Sequence, residues 1–126
     1  MKKILVLLIL GLMTFQANSQ VIYLMEAKED VVEVDGSIIK DSIYYYEGLI
    51  RINKQATVLT LVIPSGERAK FMIDRPHYDE EADIFTGSLM DFEGATYSIM
   101  VSGKSKIILI RTLKEEYLLT YIFYYK

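Results

Sequence analysis

Apolar and polar side chains alternate with a period of two along most of this chain, which is the pattern of a half-buried β-strand. The clearest unit is a predicted hairpin of residues 57–63 and 68–73, joined by a Pro-Ser-Gly-Glu turn. In its second arm Ala69, Phe71 and Ile73 share one face, and mostly charged side chains occupy the other. One face of this hairpin is therefore predicted to be buried.

The remaining strands follow from the same alternation and from the turn residues between them. A second hairpin is predicted at residues 84–90 and 95–101, followed by strands at 106–112 and 117–125 and preceded by one at 47–53. Residues 21–27, 31–34 and 38–46 also look extended, and Asp35-Gly36 is a strong tight-turn signal between the last two. No helix of two turns or more is predicted.

Short links between consecutive strands predict an all-β, up-and-down meander. Open sheet edges invite aggregation, and closure into a barrel removes them. We therefore expect a barrel of about eight strands, and the alternative is a two-sheet β-sandwich. The layout resembles that of lipocalins, but the chain carries no family motif from which residue roles could be transferred.

The first residues have the pattern of a secretory signal peptide. Lys2 and Lys3 precede an apolar run from Ile4 to Phe15, and the triplet Ala17-Asn18-Ser19 has small residues at both ends. The apolar run is shorter than the ~20 residues of a membrane span. Residues 1–19 are therefore predicted to be a signal peptide and residues 20–126 a single all-β domain, secreted or periplasmic and without stable membrane insertion after cleavage.

Composition excludes several classes of function. Without Lys2 and Lys3, 12 of the 14 basic residues remain against 17 acidic ones, so the exported part has a formal charge of −5. This balance does not favour nucleic-acid binding, which needs a concentrated basic face. The absence of cysteine excludes disulfides, zinc–thiolate sites and thiol nucleophiles. No cofactor and no metal site are expected.

One polar segment is a candidate for chemistry. Residues 74–83 are predicted to be the longest loop, with the sole histidine, His77, and four acids in five positions. Asp79, Glu81 and Asp83 are candidate ligands for a weak calcium site, but the spacing does not match a known calcium loop, and a solvated acidic loop is favoured. His77 offers a general base for a small hydrolase, but no strained nucleophile turn accompanies it.

Tyrosine provides the strongest indication of binding. The chain has 10 Tyr and no Trp, and Tyr is favoured at binding surfaces because it combines a large apolar area with a polar tip. The consecutive residues 44–46 must place a ring on each face of their strand. Aromatic packing within the sheet competes with a recognition role. The residues predicted to contact a ligand or partner are Tyr44, Tyr46, Tyr97 and Tyr121.

The sequence thus predicts an exported, non-enzymatic binding or protein-interaction module for a protein, a glycan or a small apolar ligand. A carrier with an apolar ligand inside the barrel is the first alternative, although Phe71, Tyr97, Tyr121 and Phe123 are bulky enough to fill the interior. A small hydrolase using His77 is the second. Ligand identity and oligomeric state are left open.

Overall fold

Eight antiparallel strands, in the order of the chain, form a closed barrel in this computed structural model, which describes residues 21–126. They are β1 (Val21–Val34), β2 (Ser37–Ile52), β3 (Val58–Val62), β4 (Arg68–Asp79), β5 (Ile84–Met90), β6 (Thr96–Ser102), β7 (Ile107–Lys114) and β8 (Tyr117–Tyr125). Pairing of β1 with β8 closes the barrel. The predicted barrel is confirmed and the sandwich alternative is wrong. The predicted signal peptide, residues 1–19, lies outside the described residues.

The core lies inside the barrel, where alternate side chains of every strand point. Its buried members are Met25, Ile50, Ile52, Leu59, Ile73, Leu89, Ile99, Val101, Ile108, Ile110, Phe123 and Tyr125. Ile50, Leu59 and Ile108 are completely buried. Because a barrel of eight strands is just wide enough for side chains to fill, these residues pack across the interior as a solid core.

Two of the predicted turns form as expected. Asp35 and Gly36 have φ of 52° and 79°, and Val34 pairs with Ser37, so the β1–β2 hairpin closes on a two-residue turn with positive φ at both central positions. Gly66 has φ of 94° in the β3–β4 turn, a conformation that glycine adopts without a steric penalty.

The N-terminal half departs from the sequence-based prediction. The separate segments expected at 21–27 and 31–34 are one strand, β1, and those at 38–46 and 47–53 are one strand, β2. A shift in register between Met25 and Ala27 changes which residues of β1 face inward. An irregularity of this kind interrupts the sequence alternation without ending the strand.

The predicted loop at 74–83 is also wrong. β4 continues to Asp79, and the connection to β5 is confined to residues 80–83. A bulge between Asp74 and His77, with Arg75 at φ of 53°, accommodates Pro76. The ladder with β5 then resumes at the pair His77–Thr86. Proline is tolerated in a strand at such a bulge.

Strand length was underestimated for three strands. β1, β2 and β4 have 14, 16 and 12 residues and are longer than the segments predicted from the sequence pattern. Within residues 21–126, no helix is long and apolar enough to cross a membrane. The variation in length leaves β3, with five residues, much shorter than both of its neighbours.

Candidate functional site

Strand β1, which pairs with both β2 and β8, brings most of the predicted site tyrosines together at one end of the barrel. β1 lies between β2 and β8, with Lys28 opposite Tyr44 and Asp30 opposite Tyr121. This end carries the β1–β2, β3–β4, β5–β6 and β7–β8 turns. We refer to this set of inward-facing side chains as the tyrosine mouth: Lys28, Asp30, Tyr44, Tyr46, Tyr97 and Tyr121.

The Lys28 ammonium lies among aromatic rings. Nζ is 4.8 Å from the ring centroid of Tyr121 and 5.8 Å from those of Tyr44 and Tyr46. Below it, Phe123 lies at 5.7 Å and marks the top of the apolar core. The Lys28 side chain is only 20% exposed. Partial desolvation strengthens the attraction of a cation to the faces of aromatic rings, so the cluster holds a positive charge in a largely aromatic setting.

Asp30 is the acidic partner of this cation. Its Oδ1 lies 3.4 Å from Lys28 Nζ, and its Oδ2 accepts a hydrogen bond of 2.6 Å from the Tyr44 hydroxyl. That hydrogen bond, aided by burial and the carboxylate charge, raises the pKa of Tyr44 to about 12. Although the Asp30 side chain as a whole is 27% exposed, Oδ1 is buried and accepts no hydrogen bond from the described residues. Oδ1 therefore faces the Lys28 ammonium and is closed to solvent.

The hydroxyls of Tyr46 and Tyr121 are the remaining polar groups beside the cation. Neither donates a hydrogen bond to any of residues 21–126, so both remain available to a ligand. Burial raises the pKa of both phenols, with the Asp30 charge contributing for Tyr121. Both groups therefore stay protonated at neutral pH and can donate as well as accept.

Tyr97 extends the site along the same end of the barrel. Its ring packs edge-on against Phe71 with centroids 5.5 Å apart, and its hydroxyl donates to Asp91 at 3.2 Å. Burial raises the pKa of Tyr97, followed by the hydrogen bond to Asp91 and the charges of neighbours that include Tyr121. A groove of about 430 Å³ runs from Tyr97 and Phe71 to the β5–β6 turn at Phe92. The mouth therefore continues into a concave surface of a size typical for small-molecule sites.

The three consecutive tyrosines divide between the two faces of β2 as predicted. Tyr45 is 94% exposed on the outside of the barrel, whereas Tyr44 and Tyr46 contribute to the mouth. The remaining tyrosines lie elsewhere. Tyr23 and Tyr125 pack against each other at the opposite end with centroids 4.4 Å apart, and Tyr124 is on the outer surface.

The residues predicted for catalysis or metal binding do not assemble into a site. His77 is exposed and pairs with Thr86 on the β4–β5 ladder. In the acidic segment, Asp83 accepts a hydrogen bond from Tyr78, and Asp79 accepts one from the Ala82 backbone within its own turn. No group of three acidic, histidine or cysteine side chains in residues 21–126 is arranged to hold a metal ion.

Sequence reasoning missed the two charged members of the mouth. Lys28 and Asp30 belong to the run Lys-Glu-Asp, which has the composition of a solvated face. The irregularity near Glu26 turns both side chains inward, and the alternation before it would not reveal this. One signal was available in the sequence: Lys28 and Asp30 are two residues apart in a strand, so their side chains lie on the same face.

Comparison with known proteins finds no matching protein family, no matching curated protein and no matching solved structure.

Proposed function

We propose that this chain is an exported, non-enzymatic binding module whose tyrosine mouth takes a short glycan. The proposal depends on one observation above all. A cation, a partly exposed carboxylate and several tyrosine rings converge at an open end of the barrel. Concave sites with aromatic walls and a few convergent polar groups are the usual form of small-ligand sites.

The polarity of the mouth favours a ligand with hydroxyl groups. The Asp30 carboxylate, whose side chain is 27% exposed, can accept a hydrogen bond from a ligand hydroxyl. The Lys28 ammonium and the free hydroxyls of Tyr46 and Tyr121 would donate to ligand oxygens. The C–H face of a sugar ring would cover the tyrosine rings. A wholly apolar ligand would remove these polar groups from water without offering them new hydrogen bonds. Burying polar groups in this way costs free energy and would weaken binding.

The packing of the interior supports binding at the mouth over transport of an apolar ligand inside the barrel. Below the mouth, completely buried residues such as Ile50, Leu59, Leu89 and Ile108 occupy the interior. A carrier would need much of this space empty, since ligand pockets measure roughly 300–1,000 Å³. The location of His77 on an exposed strand also supports a role other than hydrolysis.

Export is proposed from the sequence alone. The charged, apolar and small-residue order of residues 2–19 is that of a cleaved secretory signal. Export would bring the mouth into contact with cell-surface or extracellular glycans.

The test is a glycan-array screen of residues 20–126, followed by titration of any hit by tyrosine fluorescence. The chain has no tryptophan, so the signal reports tyrosines directly. We expect Tyr121→Leu to weaken binding of the hit at least about tenfold, because it removes the ring closest to the Lys28 ammonium. Tyr45→Ser is the matched control, since Tyr45 lies outside the mouth and should leave affinity unchanged.

Two results would contradict the proposal. One is the absence of any glycan hit with a folded protein, as shown by its far-ultraviolet circular dichroism. The other is a hit whose affinity falls with Tyr45→Ser and is unaffected by Tyr121→Leu.

A further inference from the structure

A groove lies beside the tyrosine mouth, where β4 extends past the end of β5. β4 begins at Arg68, but its ladder with β5 begins only at the pair Met72–Met90. On that side, residues 68–71 have no paired strand within residues 21–126 and face the β5–β6 turn instead. The space between them, which we call the β4 groove, measures about 430 Å³. It is lined by Arg68, Ala69, Lys70, Phe71, Asp91, Phe92, Glu93 and Tyr97.

Three aromatic rings form the apolar part of the β4 groove. Phe71 and Tyr97 pack edge to face, with ring centroids 5.5 Å apart. Phe92 is 83% exposed on the β5–β6 turn. The faces of aromatic rings carry a negative electrostatic potential, and cages of such rings bind quaternary ammonium groups. The rings therefore suit a ligand cation that has no hydrogen-bond donors.

Asp91 fixes the turn that presents Phe92. Its Oδ1 accepts hydrogen bonds of 2.9 Å from two backbone N–H groups of the turn, and its Oδ2 accepts one of 3.2 Å from the Tyr97 hydroxyl. Gly94, with φ of 89°, donates a further hydrogen bond to the Asp91 carbonyl. The backbone that carries Phe92 is therefore preorganised, and a ligand that contacts the ring does not have to order the turn.

The two walls of the β4 groove carry opposite charges. Arg68 and Lys70 are exposed and lie two residues apart on β4, so their side chains share one face of the strand. Neither makes an ion pair or a side-chain hydrogen bond with any of residues 21–126. Asp91 and Glu93 belong to the β5–β6 turn across the groove. Because arginine and lysine bind phosphate well, the β4 wall suits a phosphate group.

We propose that the β4 groove binds a phosphocholine group. The phosphate lies against Arg68 and Lys70, and the trimethylammonium group lies on the aromatic rings beside the carboxylate of Glu93. In this orientation, every charged or aromatic side chain that lines the groove faces a ligand group of complementary chemistry. The proposal is independent of glycan binding, although Tyr97 belongs to both the mouth and the groove.

A zwitterion fits this groove better than an ion with a single charge. A phosphate alone would leave the acidic wall of Asp91 and Glu93 without a cation. A quaternary ammonium group alone would leave Arg68 and Lys70 without an anion. A primary ammonium group, as in phosphoethanolamine, loses hydrogen bonds to water when it moves onto aromatic rings, and those rings cannot replace them. The trimethylammonium group has no such hydrogen bonds to lose, so phosphocholine is the ligand that the groove favours.

An NMR titration of ¹⁵N-labelled residues 20–126 with phosphocholine tests the proposal. We expect saturable shifts at residues 68–71 and 91–93. Choline and glycerol phosphate should each bind at least about tenfold more weakly, because each retains only one of the two charged groups. Phosphoethanolamine should bind at least about threefold more weakly than phosphocholine. Binding to phosphatidylcholine vesicles, compared with binding to a glycan that carries phosphocholine, distinguishes a lipid headgroup from a soluble source.

Two variants test the two ends of the ligand separately. Phe92→Leu should weaken phosphocholine binding at least about threefold and remove the preference over phosphoethanolamine, because it removes an aromatic face. Arg68→Gln should weaken binding of both ligands alike, at least about fivefold, because both carry the phosphate. Both side chains are exposed, so circular dichroism should show an unchanged fold. Lys104→Gln is the control, since it removes a positive charge from the β6–β7 turn at the opposite end of the barrel.

The absence of saturable shifts up to about 10 mM phosphocholine would overturn the proposal. Equal binding of phosphocholine and glycerol phosphate would also overturn it, because it would show attraction of any anion to basic residues. Shifts centred on Lys28 and Tyr121 would place the ligand in the mouth and contradict the proposed groove. None of the substituted residues belongs to the tyrosine mouth, so a failure of glycan binding leaves this test unaffected.

Discussion

Gly48 is the position where a single methyl group should most sharply test how the barrel closes beside the tyrosine mouth. A Cβ at this position would lie 2.6 Å from the carbonyl oxygen of Val62 and 2.8 Å from Cε of Met25. The methionine side chain can move, but the carbonyl belongs to the backbone of β3. Gly48→Ala should therefore push β3 away from β2, and these strands pair over only four residues.

The expected cost follows from overpacking against backbone. Added methylene groups in packed sites cost about 1–3 kcal/mol, and an immovable carbonyl places this case near the upper limit. Replacing glycine with alanine also stabilises the folded state by about 0.5 kcal/mol, because alanine restricts the conformations of the unfolded chain. We therefore expect Gly48→Ala to lower the free energy of unfolding by about 2 kcal/mol. For a domain of this size, that corresponds to a decrease in Tm of roughly 8–16 °C.

Urea unfolding monitored by circular dichroism measures this change, and Gly87→Ala is the matched control. Gly87 is also inward-facing, but its Cβ would be 3.2 Å from Ile73 Cγ2, a contact relieved by a shift of a few tenths of an ångström, and at least 3.5 Å from backbone atoms. The free energy of unfolding of this control should change by less than about 1 kcal/mol. Equal losses for Gly48→Ala and Gly87→Ala would refute the proposed closeness of β2 and β3 at Gly48.

Three further perturbations should have defined results. Burial and the nearby Asp83 charge raise the pKa of Tyr23 to about 12, so the folded state keeps a proton that the unfolded state releases above about pH 10. Other tyrosines titrate over the same range, so the Tyr23 contribution is the difference between two proteins: from about pH 10 to 12 the free energy of unfolding in urea should fall by on the order of 2–3 kcal/mol more in the unmodified chain than in Tyr23→Phe, and equal falls would contradict this assignment. Asn53→Ala should lower the free energy of unfolding in urea by about 1–2 kcal/mol, because the Asn53 side chain accepts two backbone hydrogen bonds in the β2–β3 turn; an unchanged urea midpoint would contradict that role. A double-mutant cycle of Lys28→Met and Asp30→Asn should give a favourable coupling of about 0.5–1 kcal/mol in urea unfolding, given their partial exposure, whereas zero coupling would show that the pair is not a unit.

The sequence predicts the fold best where local signals agree. The hairpins at 57–73 and 84–101 combine a period of two with turn residues of the required conformation, and both form, although β4 continues beyond its predicted end to Asp79. Prediction fails where a bulge interrupts the alternation. Pro76 looks like the start of a loop, but the bulge beside it lets β4 continue.

Part of the candidate site was predictable from strand periodicity, and part of it depends on tertiary pairing. Tyrosine at 44 and 46 shares a face by strand periodicity, but the proximity of Tyr121 to these residues depends on the pairing of the first strand with the last. Lys28 and Asp30 escaped prediction because charged residues on a strand are expected to face water. Their inward placement follows from the irregular register near Glu26, which depends on tertiary pairing and has no local turn signal.

The most direct test of the account is an NMR titration of residues 20–126, labelled at tyrosine rings, with the glycan identified by the array. The account predicts shifts concentrated on Tyr44, Tyr46 and Tyr121, with intermolecular contacts between sugar protons and these rings. Shifts confined to Tyr23, Tyr78 and Tyr125 at the opposite end, or to Tyr45 on the outer wall, would contradict it.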